Sequence, residues 1–394
     1  MSRTKTIAVI AGATLGLGHA ALAQSDVDQS RAYQAEVMRD TDARSSYAQG
    51  DLAPSFWGQL QIRYTANIRS EEPAGEESFT HGFSNRRTKL GAKGGNDEWS
   101  YRVNGAFGRG DGIFELEDAY VDYMLNDSWE LRFGQFKLPL FYEESISSSK
   151  QLAADRSLAN EYANQGRSQG VMGTWDNGDN FRGQIAFSDG AQTANTDFDS
   201  GMESDYAFTG RIDWKDGDWA DLEDFTSEAN GNQAIRVGGF GHWQDGGSTG
   251  ASGGSTSDTQ VLVLGVDAQW ESNGWNAFGS VAWISTDDSA ADEKTDDLSF
   301  VLQGGWRFDE TGEVFVRGSY VALDDRPGDP DDPIEILIGY NRYLDGHNAK
   351  FTMDVGYFPF ENAGGPVNRD TSTGILPDTD SGQIAVRAQL QVLF

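Results

Sequence analysis

The chain contains no cysteine. That excludes a disulfide-stapled domain, a Cys-ligated metal centre and thiol chemistry. Positive charge is scarce: 30 Lys and Arg stand against 62 Asp and Glu in 394 residues, a formal net charge of −32. A phosphate polyanion would be repelled, so nucleic acid is excluded as a bulk partner. Beyond the N-terminus no long apolar run exists, and mean hydropathy is −0.55. Helical membrane spans are therefore excluded, whereas barrel strands, which alternate polar and apolar residues and average out as hydrophilic, are not. Histidine is also rare. Past residue 23 there are only His81, His242 and His347. His242 lies on a strand in FGHWQDG with no Ser-containing signature beside it, so the base and nucleophile pair of a hydrolase is missing.

What is present begins with an export signal. Arg3 and Lys5 form a basic start, Ile7 to Ala20 is apolar and small, and Ala21-Leu22-Ala23 is an A-x-A cleavage site. Residues 1–23 read as a signal peptide, outside the fold. Residues 24–54 lack strand alternation. SRAYQAEVMRDTDARSSYAQ groups Tyr33, Val37 and Met38 on one side, which reads as a short periplasmic helix or a loose tail.

From Phe56 the hydrophobic period is two. Leu60, Ile62, Tyr64, Ala66 and Ile68 fall on one face and Gln59, Gln61, Arg63, Thr65 and Asn67 on the other. The last run does the same, with Ile384, Val386, Ala388, Leu390, Val392 and Phe394 against Gln383, Arg387, Gln389 and Gln391. Sixteen such runs fill residues 55–394, about 21 residues per strand and connection. Short polar turns (Asn126-Asp127, Ser272-Asn273-Gly274) alternate with longer loops at 69–82, 138–167, 189–204, 244–258, 286–298, 323–333 and 359–382. This is the pattern of an all-β, transmembrane antiparallel β-barrel of about sixteen strands in a Gram-negative outer membrane. One connection breaks it: residues 215–233 are long where a short turn is due. Either that turn carries an insertion or the count is off by a strand pair. Trp57, Trp99, Trp129, Trp175, Trp214, Trp243, Trp270, Trp275 and Trp306 recur near strand ends, as interfacial girdles require. A soluble β-sandwich would need a very large core to hide them.

The polar face of such a barrel lines a water-filled lumen. Its inward side chains are expected to include Arg63, Arg87, Lys89, Lys93, Arg102 and Arg132. Residues 57–215 hold sixteen Lys and Arg and residues 216–394 hold nine, so the basic residues concentrate in the first half. Rings of Arg and Lys select anions. Asp118, Asp122, Glu130, Asp205, Asp213, Asp267, Glu335 and Asp354 share the polar faces, so a mixed lumen of paired charges is the alternative. The remaining acid is expected in solvated loops such as TDDSAADEKTDD and DDRPGDPDDP. Those could take calcium, although EF-hand spacing is absent; no metal or cofactor site is assigned. The loop LPLFYEESISSSKQLAADRSLANEYANQGR, residues 138–167, is too long for a hairpin and is expected to fold inward and narrow the lumen. Its cations are Lys150, Arg156 and Arg167. The glycine-rich DGGSTGASGGS has no following helix and makes no phosphate loop.

Several segments resemble the phosphate-selective porin O and P family. GFSNRRTKL (82–90) resembles its GF-x-x-RR-x-RL strand, and LEDAYVDY (116–123) its L-x-DAYV strand. RFGQFKLPLFYEES (132–145) resembles R-x-GQFK-x-P. DRSLANEYANQGRSQG (155–170) and VRAQLQVLF (386–394) resemble two further family stretches. The resemblance covers the first six strands and the last; residues 180–380 carry no matching motif. It implies a sixteen-stranded outer-membrane porin, in contact with outer-membrane lipid and assembled as a homotrimer, that passes small anionic solutes such as phosphate. Arg86, Arg87 and Lys89 match the RR-x-R element, with Lys in place of the last Arg, which keeps the charge and loses the planar fork. Lys137 matches the GQFK lysine. Phe394, preceded by alternating apolar residues, resembles the terminal signal read by the barrel-assembly machinery. A general or cation-preferring porin, and a structural or adhesive barrel with a plugged lumen, are the competing readings.

Overall fold

A computed structural model describes residues 52–69, 78–226, 228, 231–247, 259–289, 292–325, 331–361, 374–376 and 382–394. The signal-peptide and helix readings of residues 1–51 lie outside the described residues. Sixteen strands run β1 (Ser55–Ile68), β2 (Phe79–Gly95), β3 (Trp99–Phe107), β4 (Phe114–Asn126), β5 (Trp129–Lys137), β6 (Arg167–Asp176), β7 (Phe181–Ser188) and β8 (Tyr206–Asp216). They continue with β9 (Ala234–Asp245), β10 (Thr259–Ser272), β11 (Trp275–Asp288), β12 (Glu293–Arg307), β13 (Gly312–Ala322), β14 (Ile334–Asp345), β15 (Ala349–Phe358) and β16 (Gln383–Leu393). They form one closed barrel in chain order. Strand β16 pairs antiparallel with β1, from Gln59 opposite Leu393 to Ile68 opposite Ile384. Closure satisfies every edge, which a sheet in lipid requires. The Phe394 carbonyl and amide add two bonds to Gly58, at 2.6 and 3.1 Å.

Alternation holds as expected on β1 and β16: Gln59, Gln61 and Arg63 are buried inside while Ile62 and Ile68 are exposed outside. Exposed Leu264, Leu302, Val316, Ile336 and Ile338 continue the lipid-facing band. Trp99, Trp129, Trp214, Trp270, Trp275 and Trp306 are exposed at the short-turn ends of their strands, and Trp275 stacks on Trp306 at 5.4 Å. This is the interfacial girdle. Trp57 is an exception: it shares the inward register of Gln59 and lines the interior.

Two expectations are corrected and one open alternative is settled. The connection between β11 and β12 is only residues 289–292, so the acidic stretch 286–298 lies mostly in strands rather than in a loop. Asp297 there is buried inside the barrel. Next, the strand count of sixteen stands, and residues 217–233 are an insertion. Finally, the interior face is not polar throughout. Phe240, Val261, Val263, Phe278, Ala282, Ile284, Val301, Phe315, Val321 and Leu337, on β9–β14, are buried inside. They meet apolar residues of the β5–β6 loop, forming two core clusters. Lumen-facing positions can be apolar here because protein, not water, covers them.

Candidate pore and constriction

The lumen's charges depend on two β-bulges. In a regular strand Arg86 and Arg87 would point to opposite faces. The β1–β2 register runs Gln61 opposite Arg87 and then Ile62 opposite Asn85, which leaves Arg86 as the extra residue. A bulge re-aims side chains in this way, and both guanidinium groups reach the interior. Opposite, β3–β4 runs Asn104 with Asp118 and then Gly105 with Leu116, skipping Glu117. Glu117 and Asp118 therefore both face inward as well.

The β5–β6 loop, residues 138–166, crosses the interior and carries two short helices, α1 (Tyr142–Ser145) and α2 (Leu158–Ala163). Ser157 caps α2, accepting from the Asn160 amide. Glu143 holds the cap in turn, accepting from the Ser157 hydroxyl at 2.6 Å. The loop is fastened to one wall. Gln391 donates to the Ser149 carbonyl at 3.1 Å, Lys350 to Gln151 at 2.8 Å and Asn341 to Leu152 at 2.9 Å. The Ala154 amide donates to Asp354 at 2.9 Å, and the Tyr162 hydroxyl donates to Asp297. Ile146, Leu152, Ala153 and Ala159 pack on Phe278, Val301, Phe315 and Leu337. Burying a side chain such as Ile146 or Leu152 contributes about 1.5–3 kcal/mol and the alanines less, so packing and ties together fix the loop.

Asp155 is the central tie. Its carboxylate is ion-paired with Arg63, with Arg86 at 2.9 Å, with Arg87 at 3.3 Å and with Arg387 at 3.5 Å. Burial alone would raise its pKa, but Arg63, Arg86 and Arg87 hold it well below the usual carboxylate range.

The loop leaves a cavity of about 1070 Å³ against the inner face of β1–β7. Its lining carries nine basic residues, Arg86, Arg87, Lys89, Lys93, Arg102, Arg132, Lys137, Arg156 and Arg167, against five acidic ones, Glu117, Asp118, Glu144, Glu161 and Asp345. Some of these charges pair: Lys89 with Glu117 at 2.6 Å, Arg167 with Asp118 at 2.7 Å, Lys137 with Glu144 at 2.9 Å and Arg156 with Glu144 at 3.0 Å. Arg132 pairs with Asp122 at 2.6 Å and lies over the Tyr120 ring. Arg102 is more open than the cations in these pairs and sits 5.1 Å from the Trp57 ring centre. On the loop, burial pushes the Glu161 carboxyl up to about 7, reinforced by neighbouring Glu144. Glu144 goes the other way, because Arg156 and Lys137 outweigh its burial and hold it at about 2.

The opposite wall carries closely paired charges. Arg211 and Arg236 share Asp213 and Asp267 at 2.6–2.7 Å. Arg317 pairs with Glu335 at 2.7 Å and Arg387 with Asp354 at 2.6 Å. Thus the paired-charge and basic-lumen patterns both occur, on different walls.

Of the residues singled out in the sequence, Arg87, Lys89, Lys93, Arg102, Arg132, Lys137, Arg156 and Arg167 come together on this lining. Arg63 faces inward but lies fully buried under the loop, bonded to the Ala154 carbonyl and Gln389 at 2.8 Å. It anchors the loop and does not line the cavity. Lys150 lines a smaller cavity of about 450 Å³ beside the loop, 4.0 Å from Glu223. The lining also includes Arg86 and Glu117, which sequence reasoning had not placed there. The adjacent pairs Arg86-Arg87 and Glu117-Asp118 were the available signal, since two consecutive charges in a strand call for a bulge.

A closed sixteen-strand barrel with lipid-facing apolar residues, an aromatic girdle and an inward loop beside a charged cavity defines an outer-membrane porin of the Gram-negative type. Residues 58–320 match the family model described as "Phosphate-selective porin O and P", and the chain belongs to that family. No curated protein matches it in sequence. Among solved structures it is similar to an anion-selective porin from Comamonas acidovorans, with 12% identity, a TM-score of 0.62, and coverage of 87% of this chain and 99% of that one. It is also similar to OmpT of Vibrio cholerae in its trimer form, with 13% identity, a TM-score of 0.56, and coverage of 87% and 100%. A third similar structure is the outer-membrane channel DcaP of Acinetobacter baumannii, with 12% identity, a TM-score of 0.54, and coverage of 87% and 98%. At such identities these likenesses show the fold. Family and fold point to a channel rather than an enzyme; His242 is buried between Thr209 and Gln244, at 2.8 and 3.2 Å.

Proposed function

We propose that this porin passes small hydrophilic anions by diffusion, with phosphate-like oxyanions preferred. The observation that carries the reading is the lining: nine basic residues against five acidic ones in a chain whose net charge is −32. Local charge governs a lumen, because the low-dielectric wall focuses the field of nearby groups. Cavity-facing arginines offer planar forks to oxyanions. The family's description and the anion-selective relative support the same reading. Homotrimeric assembly is proposed on the likeness to a porin in trimer form, and export through cleavage after Ala23 on the N-terminal pattern. The loop 138–166 is proposed as the constriction.

The test is zero-current potential in a planar bilayer across a KCl gradient, with phosphate as competitor. An anion-signed potential and current blocked by phosphate are expected. A cation-signed potential without block would mean a general or cation-preferring porin. No current at all would favour a structural barrel. Deleting residues 146–160 is expected to raise conductance.

A further inference from the structure

Short connections on the turn side of this barrel are brief: residues 127–128, 273–274, 308–311 and 346–348 join their strand pairs. The β8–β9 connection, 217–233, is several times longer. A surface loop of that length would carry polar residues into water. This one buries Leu222 and Phe225 completely. Phe225 belongs to the core cluster that joins Ile146, Leu152 and Ala153 of the β5–β6 loop to the wall, and its ring stands 4.8 Å from Phe278.

The segment also bonds to both bodies it lies between. Toward the loop, the Tyr142 hydroxyl donates to the Leu222 carbonyl at 2.6 Å. Toward the wall, Gln269 donates to the Asp224 carbonyl at 2.6 Å and Thr226 is bonded to Tyr343 at 2.8 Å. Arg307 pairs with Glu228 at 2.8 Å and His347 contacts Asp224 at 3.4 Å. At its near end Trp219 is flanked by Arg182 at 4.3 Å and Lys215 at 5.2 Å. Trp219 and Glu223 wall the smaller cavity, which shares Arg132 and Gln184 with the larger one.

We propose that residues 217–226 are a second constriction element, an internal plug entering from the turn side. It seals the half of the lumen inside β10–β14 and braces the underside of the β5–β6 loop. Solute is thereby confined to the basic side, past Arg132 and Arg182. The walls it covers are apolar or, as at Glu271 and Glu313, acidic, so a path along them would lack the anion preference of the basic side. Selectivity then depends on the plug as well as on the basic lining. This inference rests on the porin reading.

Two experiments test it. Replacing residues 219–226 with a short Gly-Ser turn is expected to raise single-channel conductance about twofold and to move the anion-to-cation permeability ratio toward unity. A variant that still folds, shown by heat-modifiable migration on a gel, with unchanged conductance and reversal potential would overturn the proposal. The second uses the absence of cysteine. Leu222→Cys and Asp221→Cys each place a single thiol, one at a buried position and one at an exposed neighbour. A water-soluble thiosulfonate is expected to label position 222 at least about tenfold more slowly than 221 in the folded barrel. Equal rates would overturn the seal. Failure of the porin reading is distinguishable, since it would appear as no current through the unmodified protein while the labelling contrast persists.

Discussion

Arg86 and Arg87 are chain neighbours that reach one carboxylate, both ending on the same oxygen of Asp155, at 2.9 and 3.3 Å. The bulge that skips Arg86 in the β1–β2 register makes this possible. Both side chains line the cavity while holding the loop that narrows it. Position of the inward loop and charge of the cavity lining are thus coupled through two residues.

Arg86→Gln/Arg87→Gln should weaken anion preference without closing the channel. A unit charge about 6 Å from a passing ion in water-like dielectric is worth about 0.7 kcal/mol, or roughly threefold in permeability per charge. The expected result is a several-fold fall in the anion-to-cation ratio, read from reversal potentials. An unchanged ratio would remove these two arginines from the selectivity mechanism.

Asp155→Asn should loosen the loop. Arg63 is wholly buried against that carboxylate, whereas Arg387 keeps its pair with Asp354, and breaking a buried ion pair by removing one partner costs about 3–5 kcal/mol. We expect a lower urea midpoint in detergent and a noisier channel. Because a negative charge is also lost beside the lumen, the reversal potential should become more anionic, opposite to the arginine variant. In the unmodified protein the carboxyl is held well below its ordinary range. Its contribution to stability is present above the unfolded carboxylate pKa and is lost only as pH falls through the depressed folded value, so this tie should persist in mild acid.

Glu161 supplies a pH dependence at the cavity wall. Burial, with Glu144 beside it, raises its pKa to about 7. Above that pH it adds a negative charge to the lining, and below it is neutral. Anion preference should therefore rise as pH falls through about 7. Glu161→Gln should behave at all pH values like the acid form. The check is reversal potential between pH 5.5 and 8.5; parallel curves for the two proteins would assign the titration to another group.

The barrel was legible because lipid and lumen alternate along every strand, and a period of two survives in a single sequence. The run from Leu60 to Ile68 and the run from Ile384 to Val392 show it plainly. What was not legible came from contacts distant in sequence. Phe278, Val301 and Phe315 look misplaced on a lumen face until the loop residues Ile146 and Leu152 cover them. Arg63 carries the same charge as Arg87 at an equally inward position, yet the loop buries one and leaves the other on the cavity. The acidic stretch around Asp287 and Asp296 reads as a loop because its composition is polar, whereas β11 and β12 extend through it. The long connection 217–233 was visible as an anomaly, but only its buried Leu222 and Phe225 reveal where it goes.

Substitution of Phe394 tests barrel stability and barrel delivery separately. Its backbone completes the seam with Gly58, and any residue there can supply those two bonds. The residue is 71% exposed, with its ring lying over Gly58. Truncating an exposed side chain away from any core usually changes stability by less than about 0.5 kcal/mol. Phe394→Ala should therefore refold in detergent with nearly the same urea midpoint as the unmodified chain. If the terminal residue is the signal for the assembly machinery, the same variant should accumulate poorly in the outer membrane of cells. A midpoint that drops in step with the cellular level would assign Phe394 to seam stability instead. Normal levels in cells would leave the signal reading without support.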